Sequence, residues 1–155
     1  MKKKLSSMFL AMLSLFMVFT MAACGPDDMA VVMATTDSNA GVVELDPDGS
    51  YTTKEDVALY IHLYGCLPDN FITKDEARDL GWEGGSLEPY APGMCIGGDY
   101  FGNYEGLLPE DRDYTECDID TIGQTKRGAK RIVFSNDGLI YYTGNHYESF
   151  ELLYE

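Results

Sequence analysis

Residues 130–143 read KRIVFSNDGLIYYT, and this stretch decides the fold class. Two short runs, Lys130–Ser135 and Leu139–Thr143, are rich in β-branched and aromatic residues, which suit a pleated, half-buried surface. Asn136-Asp137-Gly138 stands between them. An Asp-Gly pair flanked by such runs signals a tight hairpin, because glycine takes positive φ at little steric cost. The two runs are therefore expected to pair as antiparallel strands. Further runs of the same character, separated by turn residues, predict strands over Met94–Gly98, Tyr114–Ile119 and Tyr147–Leu153.

Upstream of residue 83 the periodicity is helical. Thr52 with Glu55 forms a capping-box signature, and Val57, Tyr60, Ile61 and Tyr64 then follow one-faced helical spacing up to Gly65. His62 falls off that stripe and reads as an exposed helix residue. Leu67-Pro68-Asp69-Asn70 is a turn, and Thr73 with Glu76 opens a second, short helix that closes near Gly81. Lys74 sits in its first turn, where the helix dipole disfavours a cation. A lysine there invites an explanation through an anionic ligand. Residues 83–93 form a Gly/Pro-rich loop. Helices first and strands afterwards predict an α+β domain, with N-terminal helices packed on a C-terminal antiparallel β-sheet.

The chain has 155 residues and a formal charge of −15, enough for one compact domain with appendages. Three lysines precede an uncharged apolar run from Leu5 to Met21, followed by Ala22-Ala23-Cys24. This is the pattern of an export signal, and a cysteine directly after the small residues resembles the bacterial lipobox. The expected organisation is a signal peptide over 1–23, a flexible acidic tether over 24–50 and a folded domain over 51–155. Cys24 is the expected lipidation site. The protein is then exported, either lipid-anchored at the outer face of a bacterial membrane or extracellular. Three of the eleven Lys+Arg and none of the twenty-six Asp+Glu lie in residues 1–23, so the remainder carries −18. Such a balance argues against bulk nucleic-acid binding. Distribution matters more than the sum, since Lys126, Arg127, Lys130 and Arg131 lie within six residues. With two histidines in the chain and no CxxC pair, no zinc site is expected. No cofactor is expected either.

Side chains two apart on a strand share a face. Tyr114, Glu116 and Asp118 are expected to point one way and Thr115 and Cys117 the other, with Arg131 beside Val133 on the next strand. Sequence-order pairing lets Glu116 and Arg131 meet, while His146 arrives from the turn before the last strand. A carboxylate, an imidazole and two guanidiniums are what phosphodiester cleavage without a metal needs: a base, an acid and fixed positive charge.

From about residue 51 to residue 155 the chain resembles the guanyl-preferring microbial ribonucleases of the barnase type. The resemblance is carried by Leu67-Pro-Asp-Asn-Phe-Ile-Thr-Lys74, Glu76-Ala77, Leu80-Gly-Trp82, Ala91-Pro-Gly93 and Ile96-Gly-Gly-Asp99. It continues through Phe101, Asn103, Glu105-Gly106, Glu116, Asp118-Ile119, Arg127, Arg131-Ile132, Leu139-Ile-Tyr141, His146-Tyr147 and Phe150. It implies an endoribonuclease acting on single-stranded RNA, in which Glu116 is the general base and His146 the general acid. Arg127, Arg131 and Lys74 are then the cations around the phosphorus.

The resemblance further implies a guanine-binding loop over Phe101–Glu105, including Asn103 and Tyr104, with Glu105 accepting from the base and Tyr147 packing on substrate. Asp118 becomes a buried carboxylate that orients the arginines, and Arg112 with Asp137 a structural ion pair. Cys95 and Cys117 align to neighbouring strand positions, so a disulfide between them is expected, with Cys66 free. The expected partners are an RNA substrate and a barstar-like inhibitor, with membrane contact only through the N-terminal lipid and a monomeric state. Tyr104 departs from the family, which has an arginine there. Two competing expectations are a nuclease toxin of bacterial competition and a non-catalytic surface binding module on the same scaffold.

Overall fold

The computed structural model describes residues 44–155. The expected signal peptide, Cys24 and most of the tether lie outside these residues. Two helices, α1 (Lys54–Tyr64) and α2 (Lys74–Asp79), accompany six strands. The strands are β1 (Phe71–Ile72), β2 (Cys95–Phe101), β3 (Tyr114–Asp118), β4 (Arg131–Ser135), β5 (Ile140–Thr143) and β6 (Glu151–Tyr154). They form one sheet in sequence order. Every pairing from β2 to β6 is antiparallel. The α+β reading holds, with one addition: β1, too short to show a period, pairs in parallel with β2.

Apolar patterning explains the layers. Val57, Ala58 and Ile61 of α1 pack on Cys117, Ile132 and Ile140 of the sheet and on Ile119 just after β3. Ala77, Trp82, Leu87 and Ile96 form a second core around α2. On the other side, Leu108, Tyr114 and Val133 gather Phe101, Tyr141, Tyr147 and Phe150. That third cluster is the floor of the site described below.

Local chemistry moved several expected boundaries. The first helix is capped by Thr53, whose hydroxyl accepts from the Asp56 N–H at 3.2 Å, rather than by Thr52 with Glu55. Thr52 is engaged elsewhere, its carbonyl accepting from Asp120 N–H at 2.9 Å. Gly65, at φ 70°, ends the helix as expected. Residues 44–50, read as tether, lie along α1. There Tyr64, Tyr60 and Tyr51 donate their hydroxyls to the carbonyls of Leu45, Pro47 and Asp46. These bonds hold the end of the expected tether against the domain. The last strand begins at Glu151, not Tyr147, because His146 and Tyr147 both have positive φ (57° and 73°).

The expected Cys95–Cys117 disulfide is absent: both are free, buried thiols, and Cys66 is free and exposed. Register is the reason. Cys117 faces Gly97 across the β2–β3 ladder, and Cys95 faces Phe71 on the opposite neighbour. Cys95 Sγ instead lies 3.4 Å from the donating Thr121 hydroxyl. Burial pushes both thiols above their ordinary values, Cys117 strongly.

The capping box of α2 forms in full. The N–H and the hydroxyl of Thr73 both donate to Glu76 Oε2 at 2.8 Å, and these bonds, the backbone one first, hold the Glu76 carboxyl below its ordinary value of 4.5. A depressed carboxyl stabilises the fold above its unfolded value and loses that contribution as pH falls through the folded one. Glu76→Gln is therefore expected to lower the urea midpoint at pH 6, with the gap closing as pH is taken below 4.5. Urea titrations of both proteins across that range check it.

Candidate active site

The bulge in β2 builds the first wall. The β2–β3 register shifts between Gly97 and Asp99, around Gly98 at φ 98°. Asp99 is thereby aimed at the start of α2, where its carboxylate accepts from the Lys74 N–H at 3.1 and 3.3 Å. Lys74 Nζ lies 3.8 Å from the same carboxylate and donates to Glu116 Oε1 at 2.5 Å. Lys74 is thus paired with two carboxylates of the chain itself. The Tyr147 hydroxyl donates to the other oxygen, Glu116 Oε2, at 2.5 Å. Glu116 is 8% exposed and fixed at both oxygens. Burial first, and the Glu116 carboxylate second, push the Tyr147 phenol far above its ordinary value, so it stays a donor at any working pH.

The arginines are organised from behind by Asp118, 1% exposed. Arg127 donates two hydrogen bonds to it, at 2.5 Å from Nε and 2.7 Å from Nη2. Burial lowers the affinity of Arg127 for its proton, but the bonds and charge of Asp118 outweigh this, and the net shift is upward. Arg131 is opposite Asp118 in the β3–β4 register. Its Nε lies 2.8 Å from Asp118 Oδ1, off the direction for a hydrogen bond, so this nitrogen is ion-paired yet without a hydrogen-bond acceptor. Its Nη1 donates to the carbonyls of Lys130 and Gly128 at 2.7 and 3.3 Å.

Lys74, Glu116, Arg127, Arg131, His146 and Tyr147 line one open cleft of 670 Å³. Phe101, Asn103, Tyr104 and Glu105 line its other end. All ten residues expected to act on substrate thus meet in one place. Phe101 stacks 5.2 Å from Tyr147 as part of the floor. Asn103 spends its side chain on the loop itself: it donates to Leu108 O at 2.9 Å and accepts from Leu108 N–H at 3.0 Å. Tyr104 is 90% exposed, with its ring laid against Gly102, where an added Cβ would come within 2.3 Å of it. Arg112 and Asp137 pair at 2.7 Å outside the cleft, as a structural pair would.

His146 and Tyr147 adopt the left-handed conformation in succession, at about 1–2 kcal/mol each. The strain places the imidazole and the phenol on the same rim, with ring centres 4.8 Å apart.

Several contributors escape sequence reasoning. Trp82, 5% exposed, lies under Arg127 with the guanidinium carbon 5.7 Å from its ring. No periodicity connects positions 82 and 127. Asp99 could have been found only by recognising Gly97-Gly98 as a bulge. Tyr100, Leu107 and Glu148 line the cleft mouth without any local signal.

A family model described as ribonuclease matches residues 54–154. Over 102 residues the chain is 47% identical to a ribonuclease of Heyndrickxia coagulans, covering 63% of this chain and 93% of that protein. A ribonuclease of Bacillus intermedius is also 47% identical over 102 residues, and there the match spans 62% of that protein's length. The guanyl-specific ribonuclease St of Saccharopolyspora erythraea is 42% identical over 57 residues, 36% of this chain and 56% of that protein. These matches place the chain, with its sheet and its cleft, in the barnase-type family of microbial ribonucleases.

Proposed function

We propose that this cleft cleaves single-stranded RNA after guanine, by transesterification to a 2′,3′-cyclic phosphate and without a metal ion. The observation that carries the reading is a carboxylate and an imidazole, Glu116 and His146, facing one cleft with Lys74, Arg127 and Arg131. Glu116 takes the proton from the ribose 2′-hydroxyl as that oxygen attacks phosphorus. The P–O5′ bond breaks, and imidazolium His146 gives its proton to the departing 5′-oxygen. Lys74, Arg127 and Arg131 stabilise charge on the phosphoryl oxygens as phosphorus becomes five-coordinate. Hydrolysis of the cyclic product reverses the two roles, with His146 activating water and Glu116 protonating the 2′-oxygen. The need for a 2′-hydroxyl restricts the reaction to RNA.

Guanine preference follows from Glu105, whose carboxylate accepts from the N1 and N2 hydrogens of the base. The guanyl-specific name of the Saccharopolyspora relative supports this part of the reading. The enzyme is exported and held at the cell surface through lipidated Cys24, a proposal resting on the basic start, apolar run and Ala22-Ala23-Cys24. Cleavage rates for the four dinucleotides differing in the 5′ base test the activity. Guanine is expected to lead, and EDTA is expected to leave the rate unchanged. Cleavage that stops in EDTA, or ignores the 5′ base, contradicts the proposal.

A further inference from the structure

The catalytic acid sits on a left-handed pair of residues that no glycine relieves, so something must hold it. The structure assigns that role to Thr143, with Asn145 and Ser149 behind it. Thr143 is 1% exposed, and its hydroxyl makes two hydrogen bonds. It accepts from the Tyr147 N–H at 3.0 Å and donates to Asn145 Oδ1 at 2.9 Å. Asn145 Oδ1 also accepts from the Ser149 N–H at 3.1 Å, and Asn145 Nδ2 donates to Ser149 Oγ at 2.9 Å. His146 lies inside this ring of bonds, its own N–H donating to Ala129 O at 3.1 Å. Thr143 is also opposite Arg131 in the β4–β5 ladder. The hydroxyl therefore ties the loop of the acid to β5, the strand paired with the one that carries Arg131.

We infer that Thr143 is a positioning residue for proton delivery by His146. The inference rests on the proposed ribonuclease chemistry. Its physical content is specific: in an unpinned loop Glu116 keeps its bond from Lys74 and Arg127 keeps its bonds to Asp118, while the imidazole drifts from the departing oxygen. A displacement on the scale of an ångström is enough to lose most of the benefit of a general acid.

Leaving-group dependence separates this role from a structural one. A 5′-nucleoside leaves as an alkoxide and needs the proton, whereas 4-nitrophenolate departs without it. The purified protein is compared with Thr143→Val and Thr143→Ser on guanylyl-uridine and on guanosine 3′-(4-nitrophenyl phosphate). Thr143→Val is expected to lower kcat on the dinucleotide about 10- to 100-fold, with KM little changed, and to alter aryl ester cleavage less than about threefold. Thr143→Ser, which keeps the hydroxyl, is expected to recover most of the loss. Should Thr143→Val fail to fold, Asn145→Ala removes the next link and is expected to lose more on the dinucleotide than on the ester. Equal losses on both substrates, or no loss on the dinucleotide, overturn the inference while leaving the proposed function standing. A parent protein that cleaves neither substrate overturns the proposed function itself.

Discussion

Glu116→Ala and His146→Ala are each expected to lower kcat for guanine dinucleotides by about 10²–10⁴-fold, the range that positioned acids and bases contribute. The two losses have different signatures. Glu116 is gripped by Lys74 and Tyr147, each at 2.5 Å, so its removal takes away the acceptor of the 2′-hydroxyl proton. It also leaves Lys74 with Asp99 alone, at 3.8 Å. The loss therefore applies to any leaving group. In the transesterification step, removing His146 affects only protonation of the 5′-oxygen, so release of an aryl leaving group is expected to be largely spared. The double variant should lose less than the product of the single losses, because acid and base act in one concerted unit. Initial rates on the dinucleotide and on the ester, with circular dichroism to verify folding, check these expectations. Activity retained in either variant on the dinucleotide contradicts the assignment.

The second large effect concerns the support behind the site. Asp118 is a single carboxylate, 1% exposed, shared by Arg127 and Arg131. Asp118→Ala leaves both guanidiniums without their counter-charge, and Arg131 is itself only 2% exposed. Breaking a buried pair by removing one partner costs about 3–5 kcal/mol, because the remaining charge is stranded. Arg127 is the less buried of the two, its side chain 23% exposed, so it can recover part of its hydration. Arg131 cannot, and it carries most of the expected loss. Equilibrium urea unfolding measures the effect. Asp118→Ala is also expected to depress kcat wherever the variant remains folded, because both arginines lose their orientation toward the phosphate. A stability loss below about 1 kcal/mol, the level of an exposed ion pair, contradicts a shared buried anchor.

How far the sequence reaches can be judged residue by residue. The hairpin at Asn136-Asp137-Gly138 and the β3–β4 face pattern were legible, because a period of two sends Glu116 and Asp118 to one side and Cys117 to the other. The opposed register pair proved to be Asp118 with Arg131, while Glu116 faces Val133. Periodicity fixes faces, but the turn fixes register. The expected cap at Thr52 fails for a reason distant in sequence: its carbonyl accepts from Asp120, 68 residues along the chain, and Thr53 caps the helix instead.

The cation run at 126–131 reads as one cluster, but the fold divides it. Arg127 and Arg131 turn inward to Asp118, while Lys130 pairs outward with Asp120 at 2.7 Å. The disulfide expectation failed for the same kind of reason. Neighbouring strands were correctly inferred, but Cys117 stands beside Gly97 rather than Cys95. The strained pair His146–Tyr147 carries only a weak local sign, since histidine is among the residues enriched at positive φ and tyrosine is not. Their conformation is imposed by Thr143, Asn145 and Ala129.

In the proposed reaction the 2′-hydroxyl is the nucleophile and Glu116 its base. The most direct measurement follows the phosphorus of guanylyl-uridine by ³¹P NMR during turnover in EDTA. A cyclic 2′,3′-phosphate that accumulates before the 3′-phosphate, from the wild-type protein and not from Glu116→Ala, is the predicted result. A linear phosphate formed as the first product, or cleavage of the 2′-O-methyl analogue, contradicts the account.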